Sequence, residues 1–242
     1  MRIGIITALA EETLPIYTKL GTLIQQSVIA GVNIYSIETN NDKIYLACSG
    51  AGEIRAAQAT QMLIDLFDVE AVLNFGFVGS LNPILNIGDL VIVEKAVHSA
   101  IDFRFIDGTV LGQYDRRSDL YFYCDKNIIS YIRNILPVDT KIVTLSSEDA
   151  FIADKAKKDM LRKTFGADIC DMEMIGILLV CERNNVPALS LKVVSDSADS
   201  DANQDFKTTL EQGITKYEQY IPSIIAAIDG YSARRSLPPI NK

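Results

Sequence analysis

The chain has 242 residues, 48% hydrophobic and 22% charged, which is enough apolar material for one large domain with a sizeable core. A net charge of -8 excludes nucleic acid and anionic membrane surfaces as partners, because both need a basic face. The four cysteines are scattered with no CxxC pair and His98 is the single histidine, so a metal centre is excluded and a reduced, cytoplasmic setting is expected.

The opening MRIGIITALAEET predicts a strand over 2–7 and not a signal peptide, and no apolar run approaches the roughly 20 residues that span a bilayer. A short helix over 11–20 follows, with Glu11 and Glu12 in its first turn. Strands are expected over 23–30, 33–38 and 43–49, separated by turn clusters at 31–33 and 40–42, in a hairpin-type meander. Gly50-Ala51-Gly52 then punctuates the chain before a helix over 53–67. Val- and Ile-rich strands are expected over 71–78 and 89–97, and 101–119, which has no clean period, reads as a long loop. Helices over 127–136 and 154–164 flank a strand over 141–145. A short strand starts at 169, and the segment 175–185 is apolar almost all round, so its helix should be buried. After a strand over 188–194, Phe206, Leu210, Ile214, Tyr217 and Ile221 fall on one helical face, with Pro222 expected to start a new turn.

Apolar strands alternating with helices predict a single α/β domain over 1–231, with a loose tail over 232–242. Its central, mostly parallel or mixed twisted sheet is sandwiched by helices. In such folds the site lies beyond the carboxyl ends of the strands, here at 7–12, 50–53, 74–80 and 195–196.

Gly50-Ala51-Gly52 lacks the third glycine of a dinucleotide fingerprint, since Arg55 stands in its place; no P-loop and no GxSxG serine is present. What survives is a set of carboxylates. Glu11 and Glu12 can equally complement a helix dipole, Asp171 can cap a helix, and Asp196 can belong to a solvated strand-end turn. Glu173 adjoins an almost wholly apolar helix, where an unpaired carboxylate is costly. Brought together, Glu12, Glu173 and Asp196 suit a reaction through a cationic transition state. One acid protonates a leaving group, one base activates water, and the negative surroundings stabilise the developing charge.

The segments MRIGIITALAEE, SGAGEIRAA, NFGFVGSLNPILNIGDLVI, SSEDAFI, DMEM and VVSDSAD, in this order, resemble nucleoside phosphorylase/nucleosidase family I, above all its 5'-methylthioadenosine/S-adenosylhomocysteine nucleosidases, from Met1 to about Ile228. The resemblance implies hydrolysis of the N-glycosidic bond of a purine nucleoside without a cofactor. It implies Glu12 as general base for water, Glu173 on the ribose hydroxyls with Met172 packed against the sugar, and Asp196 as the acid at purine N7. Phe151 and Ile152 would hold the base. Phe206 would line the 5' pocket, and Phe103 or Phe105 would enter a neighbour's pocket in a homodimer.

The chain departs from that pattern at several places that would touch substrate. Phe75, Phe77, Val78 and Ser80 stand around Gly76 where small residues and glycine are usual, Lys192 replaces an arginine, Ala51 a larger aliphatic residue and Leu9 a methionine. Two other readings stay open at this point: a phosphate-dependent purine nucleoside phosphorylase, with Arg55, Arg104 or a neighbouring subunit's arginine on the phosphate, and a non-catalytic nucleoside-binding protein.

Overall fold

A computed structural model describes residues 1–39, 41–199 and 202–235. Its strands are β1 (Arg2–Thr7), β2 (Thr22–Ile29), β3 (Val32–Glu38), β4 (Lys43–Cys48), β5 (Ala71–Ser80), β6 (Leu90–His98), β7 (Tyr121–Tyr123), β8 (Lys141–Ser147), β9 (Ile169–Asp171) and β10 (Ala188–Asp196). The helices are α1 (Ala10–Leu20), α2 (Glu53–Phe67), α3 (Arg104–Asp107), α4 (Lys126–Ile132), α5 (Lys155–Phe165), α6 (Met174–Asn184) and α7 (Ala202–Arg235).

The strands form one mixed sheet in the order β10-β6-β8-β9-β5-β1-β4-β3-β2, with β7 beside β6. β10 also pairs with β5, in parallel from Ala188↔Val72 onward. That second pairing closes β5, β10, β6, β8 and β9 on themselves, so half of the expected central sheet is a small barrel, from which β1, β4, β3 and β2 extend as a flap. The barrel explains the apolar runs. Every residue of β5 and of β10 is buried, as strands covered on both faces require. β2, at the free edge, is mostly exposed along its length and carries Gln25 and Gln26 at its centre.

Several boundaries differ from the sequence pattern, among them the end of α4, at Ile132 instead of 136. The 101–119 loop contains the one-turn helix α3, and β7 follows it as a three-residue strand too short to show a period. α7 runs unbroken through Pro222, because Ile221, Ile224, Ile225 and Ile228 continue one buried face on either side; this offsets the hydrogen bond that proline removes. α7 also reaches Arg235, so the expected tail boundary at 231/232 falls inside it, and residues 236–242 lie outside the described residues. Among the described residues no helix is long and apolar enough to cross a membrane, and no cluster of His, Cys, Asp or Glu is arranged to hold a metal ion.

Candidate active site

The carboxyl ends of β1, β5, β9 and β10 and the loops after β4 and β8 converge on a cavity of about 600 Å³. Its walls include Glu12, Glu173 and Asp196 together with Leu9, Ala51, Phe77, Phe151, Ile152 and Met172, so residues spread over almost the whole chain meet in one place. The size suits a nucleoside-sized ligand. Two further candidates lie behind the wall: Gly76 and Lys192 face the back of Glu12. A Cβ on Gly76 would sit 3.2 Å from Glu12 Oε1 and 3.4 Å from Lys192 Nζ, which is why no side chain stands there. The side chain of Phe206 lies outside the described residues.

Glu12 is the third residue of α1, and its carboxylate turns back over the helix start. Oε2 accepts from the N–H of Ala8 and of Leu9, each at 2.9 Å, and Oε1 accepts from the N–H of Phe77 at 3.2 Å. The bond to Leu9 is the carboxylate half of a capping box, so the helix-start role and the cavity position belong to the same side chain. Burial raises its pKa; the N–H groups of Leu9, Ala8 and Phe77 and the charge of Lys192 oppose that rise.

Glu173 stands at the N-cap position of α6 but does not cap it. Its Oε1 accepts the Gly52 N–H at 3.0 Å, while the carboxylate of Asp171, two residues earlier, accepts from the N–H groups of Glu173 and Met174 at 3.3 and 3.2 Å. The expected capping role of Asp171 is thus met from outside the cap position. Burial, then the negative charge of Asp171, push the pKa of Glu173 up to about 7, against the pull of Lys192.

The Gly50-Ala51-Gly52 turn has a definite use. Gly52 has φ +112°, and a Cβ there would lie 3.0 Å from Asp149 Oδ1, which accepts the Glu53 N–H at 2.7 Å. The start of α2 therefore receives two carboxylates, Glu173 and Asp149, and its free N–H groups and dipole hold both. Asp149 was not among the residues that sequence reasoning singled out as carrying chemistry; its signal lay in the SSEDAFI segment, where only the aromatic and its neighbour drew attention.

Asp196 closes β10. Its Oδ2 accepts from the Ser195 hydroxyl at 2.7 Å and its Oδ1 from the Ala198 N–H at 2.9 Å. Burial raises its pKa, and those two hydrogen bonds oppose the rise. Gly79 leaves the room, since a Cβ there would come within 3.0 Å of both Asp196 Oδ1 and Cys170 Sγ. The solvated strand-end turn is thereby excluded, because Asp196 is 2% exposed.

Lys192 is the charge on which these acids depend. It is 1% exposed, inside an otherwise uncharged strand interior, and its Nζ lies 2.8 Å from Asp171 Oδ2. Burial pulls its pKa down, but Asp171, Glu173 and Glu12 together outweigh burial, and the net direction is upward. Asp171 Oδ1 is held by the Ser147 hydroxyl at 2.8 Å. The two arginines considered for phosphate are placed elsewhere: Arg104 pairs with Asp102 and Arg55 lies against Gly50, and among the described residues no lysine or arginine lines the cavity.

A family model of the phosphorylase superfamily matches residues 2–226. An aminodeoxyfutalosine nucleosidase of Campylobacter jejuni is 31% identical over 211 residues, 85% of this chain and 90% of that protein. A 5'-methylthioadenosine/S-adenosylhomocysteine nucleosidase of Psychromonas ingrahamii is 31% identical over 227 residues, 92% of each chain. The crystal structure of a nucleosidase named for the same two substrates, from Helicobacter pylori with butyl-thio-DADMe-Immucillin-A, superposes with a TM-score of 0.89 at 27% identity, covering 93% of this chain and 98% of that one. With its mixed sheet, flanking helices and carboxylate-lined cavity, the chain belongs to the phosphorylase superfamily and is an N-glycosidase of the nucleosidase kind.

Proposed function

We propose that the protein hydrolyses 5'-thio-substituted purine nucleosides, 5'-methylthioadenosine and S-adenosylhomocysteine, to adenine and the thio-ribose. One observation carries the choice of water over phosphate: among the described residues the cavity is lined by carboxyl groups and by no lysine or arginine. A phosphate dianion brought beside an ionised Glu12 would meet repulsion, whereas a ribosyl cation is stabilised there.

In this reading Asp196, whose pKa burial raises, gives its proton to the purine as the base departs. Glu12, ionised and held by three backbone N–H groups, takes a proton from the attacking water, and Glu173 accepts from the ribose hydroxyls. Ile152 is buried and Phe151 is half exposed, as a base-stacking ring at an open mouth would be. A second reading, an aminodeoxyfutalosine-type nucleoside, is favoured by the Campylobacter jejuni relative and by the small Ala51 side chain at the cavity wall.

The test is release of free base from methylthioadenosine, S-adenosylhomocysteine, adenosine, inosine and aminodeoxyfutalosine, with and without phosphate. Phosphate-independent release of adenine, fastest from the thio-substituted pair, is expected. Preference for aminodeoxyfutalosine moves the assignment to the second reading, dependence on phosphate makes the protein a phosphorylase, and no release at all returns it to a binding protein.

The reading includes a homodimer. Phe105 is 95% and Ile106 80% exposed on the loop around α3, and Ile54, which follows Glu53 at the start of α2, is 79% exposed. His98 ties these segments together: its Nε2 lies 3.0 Å from Glu53 Oε2 and its Nδ1 2.8 Å from the Tyr114 hydroxyl. Light scattering should give twice the chain mass; a monomer would remove this part of the reading.

A further inference from the structure

Phe77 is an anomaly in position as well as in size. Its backbone N–H holds Glu12 and the residue lines the cavity, so a ring of this size turned the other way would stand in the substrate space. It does not, because α7 has a notch for it. Gly213 lies in the interior of α7, where glycine is an unfavourable residue, so helix formation does not account for it. An ideal Cβ at 213 would lie 2.2 Å from Phe77 Cε1 and 2.9 Å from Cζ, distances no packed methyl can keep. One turn further on, Tyr217 frames the same pocket. Its ring meets Phe77 edge-on at 5.9 Å and Phe75 at 5.7 Å. Its hydroxyl is wedged between strands β5 and β10, where it accepts from the N–H of Gly76 and of Val193 and donates to the Gly76 carbonyl. Val193 Cγ1, 3.2 Å from the same ideal Cβ, closes the sheet side. With Tyr217 and Val193 fixed, the open direction for a displaced ring is the cavity beside Glu12.

We propose that Gly213 is a positioning residue for the active site: the notch it leaves in α7 seats the Phe77 ring out of the substrate space and keeps the Phe77 N–H on Glu12. The proposal rests on the nucleosidase reading only for its assay; the packing argument is independent of the substrate. It also makes Phe77 and Gly213 a matched pair, so that the bulky residue at 77 is tolerated because of the missing side chain at 213.

The test is a double-mutant cycle of Gly213→Ala and Phe77→Ala, read as kcat and KM on the best substrate of the unmodified protein, with thermal unfolding alongside. Gly213→Ala alone is expected to lower kcat/KM by about tenfold or more, since a displaced ring misplaces the reacting groups. In the Phe77→Ala background the same change is expected to alter kcat/KM by less than about twofold, because the two positions are coupled through the ring that is now absent. A loss on Gly213→Ala that persists without the ring, or no loss on Gly213→Ala, overturns the proposal. Should Gly213→Ala alone fail to fold, the double variant decides: recovered folding and turnover support the pairing, and continued failure overturns it. Absence of base release by the unmodified protein is a failure of the substrate assignment instead. In that case the cycle is read by calorimetric binding of adenine, with the same two outcomes.

Discussion

Asp196→Asn is expected to lower turnover of a purine nucleoside by about two to four orders of magnitude, the usual worth of a positioned general acid, with little change in KM. The amide can keep the Ser195 and Ala198 side of the site in place but has no proton to give to the leaving base. The pH profile separates this from simple damage. Burial raises the pKa of both Asp196 and Glu12. Activity requires Asp196 protonated, so it falls as pH rises through the raised pKa of Asp196. It requires Glu12 ionised, so it falls as pH drops through the raised pKa of Glu12. Asp196→Asn should retain the acid limb of what little activity remains and lose the alkaline one; Glu12→Gln should do the reverse. Turnover by Asp196→Asn within about tenfold of the unmodified protein would remove Asp196 from its role.

Lys192→Met is expected to cost about 3–5 kcal/mol of stability, a large share of the 5–15 typical of a domain. The cost comes from what is left behind: Asp171, buried and 2.8 Å from the lost ammonium, keeps a charge with no counter-ion. Adding Asp171→Asn should recover most of it, because the pair is then removed as a unit. Lys192 also holds down the pKa of Glu12 and of Glu173, so the single variant should show its acid limb displaced to higher pH. Denaturant unfolding of the single and double variants, with pH profiles of the folded ones, checks both statements. An unchanged unfolding midpoint and acid limb would show that the ion pair is neither structural nor felt by the acids.

Local pattern carried the element sequence well, for physical reasons that also mark where it stopped. Strands such as β5 and β10 announce themselves because burial on both faces demands unbroken apolar runs. α6 was legible as buried from its composition alone. The pairing of β10 with β5 was not legible, because closing a barrel is a long-range event that leaves no local trace. α7 was expected to turn at Pro222 because a lost hydrogen bond is visible in sequence, while the buried face that outweighs it depends on what packs there. In the site, the resemblance located the three acids and the residues around them. The two positions placed on the cavity wall that stand behind it, Gly76 and Lys192, were misplaced by one layer, because strand alternation fixes a face and does not fix depth. The opposing roles weighed for Glu12 turned out to be one geometry, a capping carboxylate whose cap faces the cavity.

The pairing of β5 with three strands, β1, β9 and β10, has a kinetic consequence. Glu12, Gly52, Glu173 and Asp196 come from the beginning, the first quarter and the last third of the chain, and no pair of them is in place until strands far apart in sequence have met. Topologies dominated by such distant pairings fold slowly. Refolding of the protein should therefore regain helical signal early and catalytic competence only in the final phase, when the ring of strands shuts.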